Sequence, residues 1–121
     1  MKLYSTLSRQ KEEFKPLGEV VNIYVCGVTP YDHCHIGHAM SYVVFDVLRK
    51  YLKFKGYSVR YVQNFTDIDD KIINRARQTG KTPTELSQEH IANYFKDMDA
   101  LRIERADFYP RVTEEIAKIQ E

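Results

Sequence analysis

Val20-Val21-Asn22-Ile23-Tyr24-Val25-Cys26-Gly27 runs directly into Val28-Thr29-Pro30-Tyr31-Asp32-His33-Cys34-His35-Ile36-Gly37-His38, and the reading of this stretch decides the fold. Its first part is a mostly apolar run, rich in β-branched residues and closed by a glycine, which is the pattern of a buried strand. Thr29, Pro30 and Asp32 then mark a loop. From Gly37 to Lys55 the period changes: Met40, Val43, Val44, Val47, Leu48 and Tyr51 recur at three- and four-residue steps, so the loop enters an amphipathic helix. Arg49, Lys50, Lys53 and Lys55 crowd the C-terminal end of that helix, where positive charge complements the dipole, and Gly56 stands at the cap. Ser58 to Phe65 alternates and reads as the next strand. Strand, loop, helix and strand in sequence form a crossover unit whose two strands lie parallel, with one sheet edge left unpaired.

Outward from this unit, Leu3 to Leu7 reads as a short edge strand, followed by a polar stretch from Ser8 to Lys15 and a turn at Pro16 and Gly18. Downstream the chain is mostly helical. Asp67 to Gln78 reads as a helix closed by Gly80, and Thr82-Pro83-Thr84-Glu85 is a capping box opening a helix to about Arg102. Tyr94 and Phe95 on that helix read as core. A last helix begins near Thr113 and runs into Glu121 without a Gly or Pro to stop it, as expected of a fragment. Asp67, Asp69 and Asp70 suit a hard cation such as magnesium. The simpler reading is that they serve a helix start, where the dipole favours carboxylates. The basic residues at 49–55 likewise read more simply as a solvated helix end than as an RNA contact.

Composition narrows the class. The chain has 121 residues, one domain's worth, and its 43% apolar and 29% charged content is that of a soluble globular protein. No apolar run approaches the roughly 20 residues of a membrane span, and the opening residues do not form a secretion signal. Nine Tyr and six Phe supply bulky groups to bury and argue against disorder. Net charge is +1, which by itself indicates no nucleic-acid partner. Residues 1–61 carry nine basic against five acidic side chains, and residues 62–121 nine against twelve, so a basic face toward an anionic ligand is permitted. Cys26 and Cys34 lack the spacing of a zinc knuckle or redox pair, which fits a reducing, cytoplasmic compartment.

The loop carries the densest chemistry. It leaves the C-terminal edge of a parallel strand and enters a helix N-terminus, the crevice in which open α/β sheets bind ligands and phosphate is favoured. His35 and His38, three apart at the helix start, can both donate hydrogen bonds to phosphate oxygens. Gly37 between them removes a side chain and allows close approach. Such a site stabilises charge on a transferring phosphoryl or adenylyl group. A histidine pair alone is more simply a cap or surface feature; its place between strand and helix is what makes it a site.

Tyr24-Val25-Cys26-Gly27, Thr29, Tyr31-Asp32, His35-Ile36-Gly37-His38 and Asn64 through Lys71 (Asn-Phe-Thr-Asp-Ile-Asp-Asp-Lys) together resemble the N-terminal part of the catalytic domain of class I cysteinyl-tRNA synthetases, with Leu3-Tyr4-Ser5-Thr6-Leu7 and Arg9-Gln10-Lys11-Glu12 matching the family's opening. The resemblance implies an α/β, Rossmann-like parallel-sheet nucleotide-binding fold whose N-terminal half, bearing the histidine motif, is followed by helices. Residues 1–121 would be the N-terminal portion of one catalytic domain, without the family's Lys-Met-Ser-Lys-Ser half or an anticodon-binding domain. It implies ATP with magnesium, L-cysteine and tRNA(Cys) as substrates. Carried over by position, His35 and His38 are catalytic, and Gly27, Thr29, His35, Gly37, His38, Ser41, Asn64 and Thr66 line the adenylate pocket. Cys26 is one of four ligands to a zinc ion, with the other three expected beyond residue 121. A soft metal selects a thiolate over serine's hydroxyl, so discrimination needs no editing.

Met40 stands where most of the family carries Arg, and Pro30 where valine is usual. Thr-Pro-Tyr-Asp also resembles the related cysteine ligase of mycothiol biosynthesis, which is the alternative within the family. A non-catalytic, truncated nucleotide-binding or interaction module is the alternative outside it. On the synthetase reading this chain is inactive alone, and its uncovered apolar surface leads it to self-associate.

Overall fold

The computed structural model describes residues 1–120. Its centre is a parallel pair, β3 (Val20–Val25) and β4 (Ser58–Gln63), in register from Val20 opposite Ser58 to Val25 opposite Gln63. The crossover between them is α1, Ile36–Phe54. The far edge of β4 is also occupied. Residues 107–112 run beside it, with Gln63 N–H donating to Phe108 O (3.1 Å), Phe65 N–H to Pro110 O (2.9 Å) and Asp107 N–H to Tyr61 O (2.9 Å). β4 is therefore central, and the outer edge of β3 pairs with no strand among the described residues. The expected open edge is present.

At the N-terminus β1 (Lys2–Ser5) pairs antiparallel with β2 (Gln10–Glu13). The polar stretch from Ser8 thus contains a second strand. Its four residues are all exposed, so no buried face imposed the alternation by which a strand is read. The three downstream helices are α2 (Asp70–Thr79), α3 (Pro83–Ala100) and α4 (Val112–Ile119). α2 ends on Gly80 at φ 69°, where glycine avoids a Cβ penalty. α3 opens on the expected box, with Glu85 N–H donating to Thr82 Oγ1 and Thr82 N–H to Glu85 Oε2. Glu121, into which the last helix was expected to run, lies outside the described residues.

The core lies where α1 and α3 meet the sheet. Val25, Val28, Tyr42, Tyr61, Phe65, Ile91, Tyr94 and Met98 form one buried cluster. Phe65 meets Tyr94 edge-on at 5.2 Å and stacks on Tyr109 at 5.4 Å. Tyr94 is buried with its hydroxyl satisfied, accepting from Gln63 Nε2 at 2.7 Å. Phe95 packs against the same cluster, so both aromatics are core as expected. A smaller cluster of Ile72, Ala76 and Leu86 joins α2 to α3.

α1 departs from its sequence reading. The buried residues are Tyr42, Asp46, Arg49 and Leu52. Met40, Val43, Val44, Val47 and Tyr51, the stripe that periodicity selects, are exposed, together with Ile36 and Phe54. The polar inward face has a cause. Arg49 donates to the carbonyls of Glu104 (3.4 Å) and Arg105 (2.5 Å) and to Asp107 Oδ1 (3.3 Å), while Glu104 N–H donates to Asp46 Oδ1 (3.0 Å). Lys50 pairs with Asp46 and Lys53 with Glu104. The cluster at 49–55 is a solvated helix end at Lys50, Lys53 and Lys55, which are exposed, but not at Arg49, which is buried under the 104–107 loop. β3 departs too, with only Val21 and Val25 buried, because its outer edge and one face have no neighbour among the described residues.

Candidate functional site

The ends of β3 and β4 are laced together by Asn64. Its Oδ1 accepts from Gly27 N–H at 2.8 Å and from the Tyr24 hydroxyl at 3.0 Å, and its Nδ2 donates to Thr66 Oγ1 at 3.4 Å. Thr66 N–H donates to Val28 O at 3.1 Å, closing the lace from the other strand. A Cβ on Gly27 would lie 1.4 Å from the Asn64 carbonyl oxygen, so the two strand ends approach this closely only because residue 27 is glycine. The structure brings Gly27, Asn64 and Thr66 together.

At the loop's other end, the two histidines form a capping box. His35 is the N-cap of α1 in extended conformation (φ −122°, ψ 173°) and its Nδ1 accepts from Gly37 N–H at 3.1 Å. His38 Nδ1 accepts in turn from His35 N–H at 3.3 Å. The rings lie 3.9 Å apart with a 32° tilt. Both Nδ1 atoms being acceptors assigns both rings as neutral Nε2–H tautomers. Burial, and then the neighbouring His35, hold the His38 imidazole below the usual histidine range. Two Nε2–H donors therefore exist beside a helix N-terminus without an imidazolium. Gly37 has a specific steric role, since a Cβ there would lie 2.9 Å from His35 Cε1 and push that ring off its cap.

A cavity of about 180 Å³ is lined by the loop from Val28 to His35, by His38, and by His90 of α3. Thr29, His35 and His38 thus share one wall system. Ser41 is exposed on α1 and does not line this cavity. The sequence reading missed His33, His90, Pro30, Tyr31 and Asp32 as cavity residues. His90 was findable in principle: Leu86, Ser87, His90, Ile91, Tyr94 and Met98 are the buried residues of α3, at helical spacing, and a histidine on that face points inward.

The acidic trio does not converge. Asp67 is buried and outside α2, with its carboxylate accepting from Thr113 N–H (3.0 Å) and Thr113 Oγ1 (2.6 Å); Asp69 caps α2 by accepting from Lys71 N–H; Asp70 is the first helical residue. The simpler, helix-serving reading describes Asp69 and Asp70, while Asp67 ties α4 to the site. Cys26 lies exposed at the strand end, its thiol 3.8 Å from Gly27 O. Among the described residues no three His, Cys, Asp or Glu side chains are placed to hold a metal, so these residues do not by themselves fit a zinc site. Cys34 is half-buried, and burial pushes its thiol up to about 11.

Solved structures share the fold. The fold matches the Mycobacterium tuberculosis methionyl-tRNA synthetase in complex with methionyl-adenylate at TM-score 0.69 and 23% identity, over 76% of this chain and 18% of that one. It matches the Agrobacterium radiobacter K84 LeuRS in a ternary complex with tRNA and LeuAMS at TM-score 0.67 and 24% identity, over 83% and 13%. The likeness to these two is one of fold. Sequence narrows it further: residues 13–121 match the family described as tRNA synthetases class I (C) catalytic domain, and the chain belongs to that family. It is 61% identical to a cysteine–tRNA ligase of Maridesulfovibrio salexigens over 100% of this chain and 25% of that protein. It is 58% identical to one of Thermococcus kodakarensis over 98% and 25%. The chain therefore spans about a quarter of the length of these relatives. No helix is long and apolar enough to cross a membrane among the described residues.

Proposed function

We propose that this chain forms one wall of a cysteinyl-adenylate site, acting within a longer unit that activates L-cysteine with ATP and transfers it to tRNA(Cys) in the cytoplasm. The observation that carries this reading is the histidine box. It holds two neutral Nε2–H donors at the N-terminus of α1 and beside a cavity, where oxygens of a transferring adenylyl group would gather charge. Fixed donors of this kind stabilise a transition state without reorganising. Gly27, Asn64 and Thr66 form the strand-end floor, with the Gly27–Asn64 close approach keeping it flat, and Thr29 stands in the cavity wall with His35 and His38. Gly37 keeps His35 on its cap. Ser41 keeps only the role that the family resemblance implies for it. Magnesium enters with ATP as part of the substrate.

Zinc, when bound in the longer unit, would supply a thiolate-selective ligand position for the substrate cysteine. Cys26 is the residue here suited to it, and the remaining ligands must come from outside this chain. The high identity to cysteine–tRNA ligases supports the synthetase over the mycothiol-type ligase.

The test is a chimera in which this chain replaces the first quarter of the Maridesulfovibrio ligase. Cysteine-dependent ATP–pyrophosphate exchange is expected from the chimera and none from the 121-residue chain alone. His38→Ala in the chimera should lower exchange by about a hundredfold or more, the scale of losing one preorganised donor. A folded chimera without cysteine-dependent exchange overturns the reading.

A further inference from the structure

All four histidines of this chain line the same cavity, and only two of them belong to the capping box. The other two face each other across the gap between the β3–α1 loop and α3. His33 meets His90 edge to face, with ring centroids 5.3 Å apart and planes at 90°. His90 is nine-tenths buried, and its Nδ1 has no hydrogen-bond partner among the described residues. His90 is the one α3 residue in the cavity lining. A buried imidazole with an orphaned nitrogen is poorly placed as packing, because a hydrocarbon ring would fill the same space without a stranded polar atom.

We propose that His90 is a positioning residue: neutral, it seats His33 and so holds the β3–α1 loop, with His35 at its end, against α3, and protonation of His90 releases that loop. The purpose assigned to the loop rests on the adenylate reading above. The latch itself does not.

The charged surroundings of His90 come from every element against it. On its own helix Glu89 is paired with Lys81 from the α2–α3 turn. On the loop, Asp32 accepts from His33 N–H at 2.8 Å and pairs with Arg75 of α2 at 3.2 Å. Both carboxylates are thus engaged by cations and weakly available to an imidazolium. Burial first, and then the facing His33, hold His90 below the usual histidine range, outweighing the pull of Glu89 and Asp32. The sign follows. When the loop lifts, His90 regains an ordinary affinity for protons, so the open form binds more protons than the closed one. Closure is complete above the ordinary histidine range and weakens as pH falls through it. His38 titrates in the same direction, and the variants separate the two.

The test is nucleotide-free hydrogen exchange on the 121-residue chain, with protection factors of the amides at 31–35 followed from neutral pH to about pH 5. Wild type should lose protection severalfold as pH falls, in step with the His90 Cε1–H titration read by NMR. His90→Phe keeps the edge contact and removes the proton, so most of that loss should vanish; the remainder reports His38. Should His90→Phe not fold, His33→Phe takes its place. It removes the facing charge that helps to hold His90 low in the closed form, so the proton affinities of the closed and open forms draw together and the loss of protection should shrink. Loop protection that is flat with pH, or an unchanged pH profile in both variants, overturns the proposal. The chimera's exchange activity tests the adenylate reading separately, so a failure of one is distinguishable from a failure of the other.

Discussion

At Gly27 and Gly37 a missing side chain does identifiable work. Gly27 lets β3 end against β4, and its single N–H reaches Asn64 at 2.8 Å. Gly27→Ala would place a Cβ 1.4 Å from a backbone oxygen, so the strand ends must part and that hydrogen bond is lost. The expected loss of stability is about 3 kcal/mol, combining overpacking with one broken bond. Gly18→Ala, which meets nothing within 4 Å, should stay within about 0.5 kcal/mol of wild type. Urea unfolding of the two variants checks this, and equal losses would disprove the steric account. The motif His35-Ile36-Gly37-His38 was legible as a site from its position. Its capping role was named as the plainer reading of the pair, but the reciprocal box was not legible, because the usual N-cap oxygens are replaced by imidazole Nδ1 atoms, for which propensity rules carry no signal.

Helix α1 shows at the scale of an element how periodicity can be right about a helix and wrong about its burial. The helix spans 36–54 against an expectation of 37–55. Its apolar stripe is real but faces outward, since the inward face is occupied by Arg49 and Asp46 bound to the 104–107 loop. That loop is 50 and more residues away, so no local pattern announces it. Arg49 is nearly fully buried, lies 5.2 Å from the Tyr61 ring centroid and satisfies two carbonyls. Arg49→Met should therefore cost about 3 kcal/mol, because it strands those two carbonyls. Lys53→Ala, whose pair with Glu104 is solvent-exposed, should cost about 0.5 kcal/mol. Thermal unfolding that shows equal shifts for the two would remove Arg49 from this role.

Considered whole, the molecule presents an unusual surface. Ile36, Met40, Val43, Val44, Val47, Tyr51 and Phe54 form one exposed apolar face on α1, and the outer edge of β3 is unpaired. Apolar patches of this extent and open strand edges associate in water. The chain alone should show concentration-dependent association in sedimentation velocity. The double variant Val44→Lys/Val47→Lys should reduce it while leaving the circular dichroism unchanged, since both positions are already exposed, at 58% and 60%. A wild-type chain that stays monomeric at high concentration would rule this out.

The sequence by itself determined the order of elements from β3 onward, the parallel pairing of β3 and β4, the caps of α2 and α3, and the place of the histidine motif between strand and helix. These depend on short-range sterics and hydrogen bonds, which residue type and spacing encode directly. Only the tertiary structure decided which face of α1 is buried, where the basic cluster finds its partners, that Asp67 serves α4, and that His33 and His90 share the motif's cavity. Each of these joins residues more than 40 positions apart, and such pairings are chosen by the packing of the whole chain, where burial and charge neutralisation outweigh any local preference.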